Sequence, residues 1–338
     1  MKALRVAVIG AGDMAGMHAR AWAKAPGARI VAVCDTQEGR AEALAKEHGA
    51  KALRDYREAI AGEGVNAVSV CVPAGLHAEV TVEAAGRGCD VLCEKPMALS
   101  IEEADRMIRA AQAGGVKLMI GLCHRFFRTQ ELAREIVGRG EIGSPRHYHY
   151  AAVAGVRPKI AMHDRHGNGG PIVDILCHYA DDMERVLGSR VTRVYARGHT
   201  FAAKHPKLET IAEKAVDTAA AVLDFANGDT GTFIVTWGAP AELPWIAQQE
   251  VWGPMGVLRI RPNEAVELAQ ASGTTVYEGL TVEHIDREVA HFASCVREDE
   301  PVGADGETGR RLLKLSLAAL ESIAGGARVV VGGEGREG

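Results

Sequence analysis

A glycine-rich loop directly behind an apolar strand is the feature that most constrains how this chain folds. The run LRVAVIG (Leu4–Gly10) has the pattern of a short buried strand and ends in glycine. The segment that follows, GAGDMAGMHA, fits G-x-G-x-x-G/A, with Gly10, Gly12 and Ala15 at the three small positions. These positions serve a tight turn, the close approach of a pyrophosphate and the packing of helix on strand. A helix beginning near Met14 would point its N–H groups at the phosphates. The pattern therefore predicts a dinucleotide-binding βα unit.

An acidic residue at the end of the second strand supports this prediction. The run ARIVAVCD (Ala28–Asp35) places Asp35 23 residues beyond Gly12 (35 − 12), near the spacing of a ribose-binding acid. A carboxylate there binds the ribose hydroxyls and repels a 2′-phosphate, so we expect NAD to be preferred over NADP. Arg40 lies close enough to favour NADP instead. The alternative is a glycine-rich turn in which Asp35 only caps a helix.

The rest of the first third of the chain repeats the alternation of strand and helix. Apolar strands are predicted at Asn66–Pro73, Cys89–Pro96 and Val116–Gly121, with helices near 77–86 and 101–113. Near-continuous apolar strands separated by helices indicate a parallel sheet covered on both faces. The fold class is therefore α/β, with a Rossmann doubly wound sheet in residues 1–123.

Beyond residue 123 the pattern changes to alternating strands. The Asn227-Gly228 pair between two of them is a hairpin signal. We expect residues 124–338 to form an α+β domain built on a large open sheet of mixed, mainly antiparallel strands. A late helix at about 309–323 should pack back on the first domain, and the tail 332–338 should fray.

Composition excludes several classes of protein. The 338 residues carry 39 Lys+Arg against 44 Asp+Glu, a net charge of −5 without a basic block, which argues against nucleic acid as a partner. No run approaches the roughly 18 apolar residues of a membrane span. The seven cysteines are scattered without a CxxC pair, which indicates reduced thiols and a cytoplasmic location.

A lysine–proline pair ends the predicted strand Cys89–Pro96. CEKP (Cys93–Pro96) places Lys95 at the carboxyl end of that strand, the end that faces the ligand crevice in an open α/β sheet. The glycine loop, Asp35, VCVPAGLH (Val70–His77) and CEKP, in this order and spacing, resemble the Gfo/Idh/MocA oxidoreductases, the group of glucose–fructose oxidoreductase and inositol dehydrogenase. The segment GNGGPIVDILCHYADDM (Gly167–Met183) is similar to the family's glycine-rich segment followed by D-x-x-x-H.

The resemblance implies an NAD(P)-dependent dehydrogenase that acts on a secondary alcohol of a sugar or cyclitol. By this resemblance Lys95 would hydrogen-bond the oxygen of the reacting carbon, His178 would take the hydroxyl proton, and Asp174 would orient substrate and the neighbouring lysine or imidazole. Asp174 and His178 stand at i and i+4, so on one helix they would share a face. Arg128 departs from a proline that the family often carries, which leaves the substrate open.

The glycine pattern and the resemblance together give the remaining site residues. The cofactor-binding set is Gly10, Gly12, Asp13, Met14, Ala15, Asp35, Thr36, Arg40, Cys71, Pro73, His77, Glu94 and Lys95. The substrate-binding candidates are Arg125, His163 and Trp237. The resemblance also implies that residues 124–338 are a substrate-binding and oligomerisation domain, which forms a homodimer or homotetramer through the free face of its sheet. That face would otherwise leave apolar surface in water.

Three alternatives stay open. A nucleotide- or sugar-binding regulator on the same fold would not need Lys95, Asp174 and His178. A metal-assisted hydrolase would use His147, His149 and His163, but no carboxylate or cysteine completes a familiar zinc spacing, so we expect no metal. Within the family, the reaction could run towards oxidation of the alcohol or reduction of the ketone. The acids that follow Tyr179 are interpreted as solvated charge.

Overall fold

The computed structural model describes residues 3–240 and 243–331, and the chain divides into two compact units. The first contains the chain up to Cys123 together with Glu283–Arg311, and the second contains His124–Val282 and the chain from Leu312. The segment Glu283–Arg311 thus groups with the first unit, whereas the sequence analysis placed it in the second domain. The tail 332–338 lies outside the described residues.

The first unit is built on a six-stranded parallel sheet. Its strands are β1 (Leu4–Ile9), β2 (Ala28–Cys34), β3 (Lys51–Leu53), β4 (Ala67–Val70), β5 (Asp90–Glu94) and β6 (Leu118–Gly121). They lie in the order β3-β2-β1-β4-β5-β6, and every neighbouring pair is parallel. This is the Rossmann order, with its switch point between β1 and β4, so the predicted doubly wound sheet is confirmed. The three-residue β3 is too short to show a period in the sequence.

Helices connect these strands. They are α1 (Asp13–Lys24), α2 (Arg40–His48), α3 (Tyr56–Ile60), α4 (His77–Gly86) and α5 (Ile101–Gly114). Along α1, Ala15, Ala19 and Trp22 recur at helical spacing and are buried. Ser100 begins α5 as its N-cap, accepting a hydrogen bond from the Glu103 N–H at 3.2 Å.

The second unit contains a nine-stranded sheet with helices packed on it. The helices are α6 (Arg128–Gly138), α7 (Gly170–Asp174) and α8 (Leu176–Leu187). The strands are β7 (His147–Gly155), β8 (Val191–His199), β9 (Thr218–Phe225), β10 (Thr230–Ala239), β11 (Ile246–Gly253), β12 (Gly256–Arg261), β13 (Ala265–Gln270), β14 (Gly273–Tyr277) and β15 (Val329–Val330). Their order is β14-β13-β12-β11-β7-β10-β9-β8-β15. Only the β7–β10 pair is parallel, which confirms a mixed, largely antiparallel sheet.

The two faces of this sheet differ. On the inner face Tyr148, Tyr150 and Phe233 are fully buried, and α8 packs against β7 and β10. The outer face leaves large apolar side chains exposed, namely Val153, Tyr195, Val222, Ile234, Ile246, Trp252 and Val276. The predicted hairpin is confirmed: β9 and β10 pair antiparallel around Asn227-Gly228, with Gly228 at φ +86°.

The chain returns to the first unit through α9 (His284–Glu298), which packs along α1 with Trp22 and Phe292 edge to face at 6.0 Å. The last helix, α10 (Gly306–Gly325), belongs to the first unit up to Arg311 and to the second from Leu312. Within the described ranges, no helix combines the length and apolar character needed to cross a membrane.

Candidate active site

The glycine loop follows β1 at the carboxyl edge of the parallel sheet. Gly10 has φ +97°, and a Cβ there would lie 2.5 Å from the Cys71 carbonyl oxygen, so a side chain is excluded. A Cβ on Gly12 would meet nothing within 4 Å. Gly12 is the N-cap of α1 and has no side chain to cap the helix, so the N–H groups of the first turn can bind an external anion. The loop therefore fits the pyrophosphate of a dinucleotide.

Asp35 is fixed beside this loop by backbone hydrogen bonds. Its Oδ2 accepts from the Ala11 N–H and its Oδ1 accepts from the Gln37 N–H, both at 2.8 Å. Each carboxylate oxygen has a second lone pair, so the half-buried acid can still bind a ribose. Thr36 and Arg40 follow on the exposed surface. Asp35 thus holds the glycine loop as well as standing where the cofactor ribose is expected.

The remaining members of the cofactor set lie around the same edge. Asp13 is exposed, Met14 is half-buried and Ala15 is buried in the first turn of α1. Cys71 and Pro73 follow β4, the first half-buried and the second exposed. Their contacts with a cofactor stay predictions.

Lys95 sits in a turn that is held from two sides. Its backbone N–H donates to Glu94 Oε2 at 3.2 Å. The carbonyl oxygen of Pro96 lies 2.8 Å from His77 Nδ1, and His77 Nε2 lies 2.9 Å from the Val72 carbonyl oxygen. Burial lowers the pKa of His77 against the effect of these two carbonyl oxygens, which both favour a protonated ring. Lys95 itself is half-buried at the end of β5.

A buried polar cluster lies behind Lys95, and the sequence analysis missed it. Glu94 Oε1 is 2.9 Å from His18 Nε2, and His18 Nδ1 is 2.7 Å from Ser69 Oγ. Glu288 of α9 brings a carboxylate oxygen within 4.8 Å of a ring nitrogen of His18 and of a carboxylate oxygen of Glu94. His18 follows the glycine pattern by three residues, a spacing that could have indicated it. Glu288 has no such signal because it lies 194 residues further along the chain (288 − 94).

In the second unit the glycine segment begins α7 as expected. Gly169 and Gly170 both have φ +74°, and Pro171 occupies the first turn. However, α7 ends at Asp174 and α8 begins at Leu176, with Ile175 at φ −116° between them. The expected single helix carrying Asp174 and His178 on one face is therefore wrong. The helical period of the sequence continues through Ile175, so the sequence did not indicate the break between the two helices.

Both of these residues are buried in polar surroundings. Asp174 is 2% exposed, and its Oδ1 accepts from Asn168 Nδ2 at 2.9 Å. His178 is 6% exposed, and its ring stacks on that of His124 with centroids 4.2 Å apart. Stacking fixes the plane of the imidazole, a condition for directed proton transfer.

Arg125 is paired within the protein. Its guanidinium donates two hydrogen bonds to the Asp181 carboxylate, at 2.7 and 2.6 Å, while His124 Nδ1 lies 2.9 Å from Asp182 Oδ2. Asp181 and Asp182 are 1% and 2% exposed, so their interpretation as solvated charge is wrong. The Arg125 guanidinium offsets part of the cost of burying Asp181, and the His124 ring gives Asp182 a hydrogen-bond partner. Burial raises the pKa of Asp182 in spite of His124.

His163 and Trp237 are brought together, as two substrate-binding candidates should be. Their rings meet at 67° with centroids 6.0 Å apart, and both side chains are buried. His163 Nε2 accepts from the Arg157 N–H at 2.8 Å, and burial lowers the pKa of His163, consistent with a neutral ring. Among the described residues, the buried Trp237 indole N–H has no hydrogen-bond partner, which leaves a donor for a polar ligand.

His147 and His149 lie on the outer sheet face. His149 Nδ1 is 2.8 Å from Thr232 Oγ1, and both rings stack near Trp252. His147 has Thr230 and Thr232 hydroxyls at 2.8 and 3.0 Å from its two nitrogens. Threonine hydroxyls therefore lie against both ring nitrogens of His147 and against Nδ1 of His149.

A Rossmann sheet with a glycine loop and a fixed lysine at one edge is typical of nucleotide-dependent oxidoreductases. Residues 4–122 match the model of an oxidoreductase family with an NAD-binding Rossmann fold, and residues 131–259 match the GFO/IDH/MocA C-terminal domain. The chain belongs to the Gfo/Idh/MocA family, as its resemblance indicated.

Characterised relatives align over nearly the whole chain. The myo-inositol 2-dehydrogenase of Thermotoga maritima is 30% identical over 341 residues, covering 95% of this chain and 96% of the relative. The NAD⁺-dependent scyllo-inositol 2-dehydrogenase of Bacillus subtilis is 29% identical, covering 96% of each chain. Among solved structures, a probable dehydrogenase from Thermotoga maritima superposes with a TM-score of 0.79 at 28% identity, covering 97% of this chain and 99% of the other.

Proposed function

We propose that this protein is an NAD-preferring dehydrogenase that transfers a hydride between nicotinamide and a secondary alcohol, or the corresponding ketone, of a sugar, sugar derivative or inositol-like cyclitol. The two inositol dehydrogenases named above, which align over nearly the whole chain, support the substrate class. The observation that carries the proposal is the position of Lys95 at the carboxyl end of β5, in the same unit as the glycine loop, with its backbone held by Glu94.

The chain's residues divide the work of cofactor binding. The first turn of α1 binds the pyrophosphate, and Asp35 binds the adenosine ribose and disfavours a 2′-phosphate, which is the basis for NAD over NADP. The bound nicotinamide accepts or returns the hydride. The protein's own residues handle the proton and orient the substrate.

Three side chains handle the substrate. Lys95 donates a hydrogen bond to the oxygen on the reacting carbon, and so stabilises the negative charge that develops there as the proton leaves. His178 accepts that hydroxyl proton in oxidation and returns it in reduction. Asp174 orients substrate hydroxyls. Arg125, His163 and Trp237 stay candidates for substrate recognition, and Arg125 would act through its pair with Asp181.

We further propose that a second copy of the chain covers the outer face of the nine-stranded sheet, giving a homodimer or homotetramer. The support is the row of exposed apolar side chains across five neighbouring strands, β8, β9, β10, β7 and β11, because a patch of this kind is unusual on a monomer. The cytoplasmic location is proposed from the seven cysteines, which are scattered along the chain without a CxxC pair.

The function is tested by following reduced nicotinamide absorbance with NAD and NADP across inositols, aldoses, sugar acids and their amino and deoxy analogues. Turnover with one stereochemical group is expected, faster with NAD. Tight NADH binding without turnover of any member would contradict the proposal and favour a regulator.

A further inference from the structure

In the His18–Glu94–Glu288 cluster, His18 and Glu94 are hydrogen-bonded to each other, whereas the carboxyl group of Glu288 is not paired within the described part of the chain. All three side chains are buried, with His18 and Glu288 at 0% exposure and Glu94 at 6%. Among the described residues, neither oxygen of the Glu288 carboxyl group has a hydrogen-bond partner. A buried, unpaired carboxylate costs several kcal/mol, so a neutral carboxylic acid is the favoured form.

The charges of the neighbours are consistent with that form. Burial opposes the charge on His18, but Cys71 and Glu94 outweigh it and the pKa of His18 lies well above its usual value. Burial also opposes the charge on Glu94, yet His18, Lys95 and His77 hold its pKa below the usual value. His18 and Glu94 thus form a cation–anion pair, and a neutral Glu288 leaves the cluster without net charge.

Glu288 has the opposite environment. Burial, followed by the negative charge of Glu94, raises the pKa of Glu288 to about 8, and the His18 cation offsets only part of this. Among the described residues, no lysine or arginine contributes to this shift in the pKa of Glu288. Loss of the Glu288 proton would place a second negative charge within 4.8 Å of the His18 ring nitrogen and the Glu94 carboxylate oxygen. This charge would repel the Glu94 carboxylate.

A movement of the Glu94 side chain caused by this repulsion would also move Lys95. One carboxylate oxygen of Glu94 binds His18 and the other accepts the Lys95 backbone N–H, so the side chain fixes the turn that carries the lysine. Gly121 also packs close, since a Cβ there would lie 3.0 Å from Glu94 Oε1. Glu94 therefore has little room to move without moving the Lys95 backbone.

We propose that Glu288 is a positioning residue that acts as a neutral carboxylic acid, keeping Glu94 ionised and in place and thereby holding Lys95 for hydride transfer. This inference rests on the proposed function, in which Lys95 acts on the substrate. The alternative explanation for the clustering of these three side chains is that they bind a metal cation. It is less favoured because His18 Nε2 at 2.9 Å from Glu94 Oε1 donates its proton and has no lone pair for a metal.

The test compares Glu288→Gln with Glu298→Gln, the same change at an exposed residue of α9. An amide is neutral at every pH, so Glu288→Gln should keep kcat at pH 7 within about threefold. The kcat of the wild type should decline above about pH 8, and this decline should be absent from Glu288→Gln. Glu298→Gln should keep the decline. A Glu288→Gln profile identical to the wild type would overturn the proposal, as would one equivalent of bound metal lost in that variant.

A second readout does not depend on turnover. The infrared spectrum of the wild type should contain a carboxylic acid C=O band that disappears between pH 7 and 9 and is missing from Glu288→Gln. If the variant does not fold, the wild-type band alone decides: its absence at pH 7 overturns the inference. If the band is present and no substrate is turned over, the proposed function fails while the neutral acid stands.

Discussion

Asp35 and Ala11 are joined by a 2.8 Å hydrogen bond in which the Ala11 N–H donates to the Asp35 carboxylate. The acid expected to choose between NAD and NADP therefore also fixes the loop expected to bind their common pyrophosphate. Changing it should affect both affinity and selectivity, and the two effects can be measured separately.

Asp35→Ala should weaken NAD binding by about 10- to 100-fold, the range for a lost hydrogen bond to a charged group, and narrow the gap between NAD and NADP. NADP should lose less because the repulsion of its 2′-phosphate is also removed. Dissociation constants for NADH and NADPH, measured by fluorescence, provide the check. Asp55→Ala, which removes the N-cap of α3 instead, is the control and should leave both constants unchanged. An unaltered NAD/NADP ratio in Asp35→Ala would show that the acid is not at the ribose.

Lys95→Ala should lower kcat by roughly 100- to 10,000-fold, the range for a group that handles charge or protons in the transition state. NADH should still bind because the glycine loop is untouched. Steady-state rates and NADH fluorescence give the two numbers. Lys24→Ala removes an exposed lysine of α1 that pairs with Asp286 and should change neither. Normal turnover of Lys95→Ala would remove the lysine from the mechanism.

His178→Gln should flatten the neutral limb of the pH–rate profile, because an imidazole ordinarily titrates in that range and an amide does not. The profile of kcat/KM from pH 5.5 to 8 is the measurement. His149→Gln, on the outer sheet face, supplies the matched control and should keep the limb. An unchanged limb in His178→Gln would place the base elsewhere.

The neutral form of Glu288 has a consequence for stability. Its folded pKa of about 8 exceeds the usual 4.5, so the folded state binds the proton more tightly and stability falls as pH rises between these values, by about 1.4 kcal/mol per unit for one proton. Glu288→Gln should lose this slope and become more stable than the wild type at pH 8. Urea unfolding at pH 6, 7 and 8 measures it, with Glu298→Gln as control. Equal slopes in both variants would contradict a raised pKa.

Ile234→Glu should separate the subunits of the proposed oligomer. Ile234 lies on β10 in the middle of the outer sheet face and is 41% exposed, so a charge there is tolerated by the single chain but not between two apolar faces. Light scattering after size-exclusion chromatography reports the mass. Met255→Glu, in the exposed turn between β11 and β12, should leave it unchanged. A wild-type monomer would refute the proposed interface directly.

Local patterns in the sequence were sufficient for the Rossmann sheet and the nucleotide loop. Gly10 must be glycine because of the neighbouring Cys71 carbonyl, and Gly12 begins a helix that no side chain caps, so the chemistry of the loop is contained in a few adjacent residues. Strand and helix periods in the same segment indicated alternating strands and helices, and therefore a parallel sheet covered on both faces. The Asn227-Gly228 hairpin followed from turn chemistry in the same way.

Contacts between residues far apart in the chain were decided only by the tertiary structure. Burial of Asp181 depends on Arg125, which no sequence period reveals, and the break at Ile175 interrupts a helix whose polar and apolar pattern runs through it unchanged. Glu288 reads in the sequence as an ordinary residue of an amphipathic helix, yet packing of α9 against α1 places it beside His18 in the core. A side chain's local pattern reports the period of its helix or strand, whereas its charge state is set by the groups that folding brings around it.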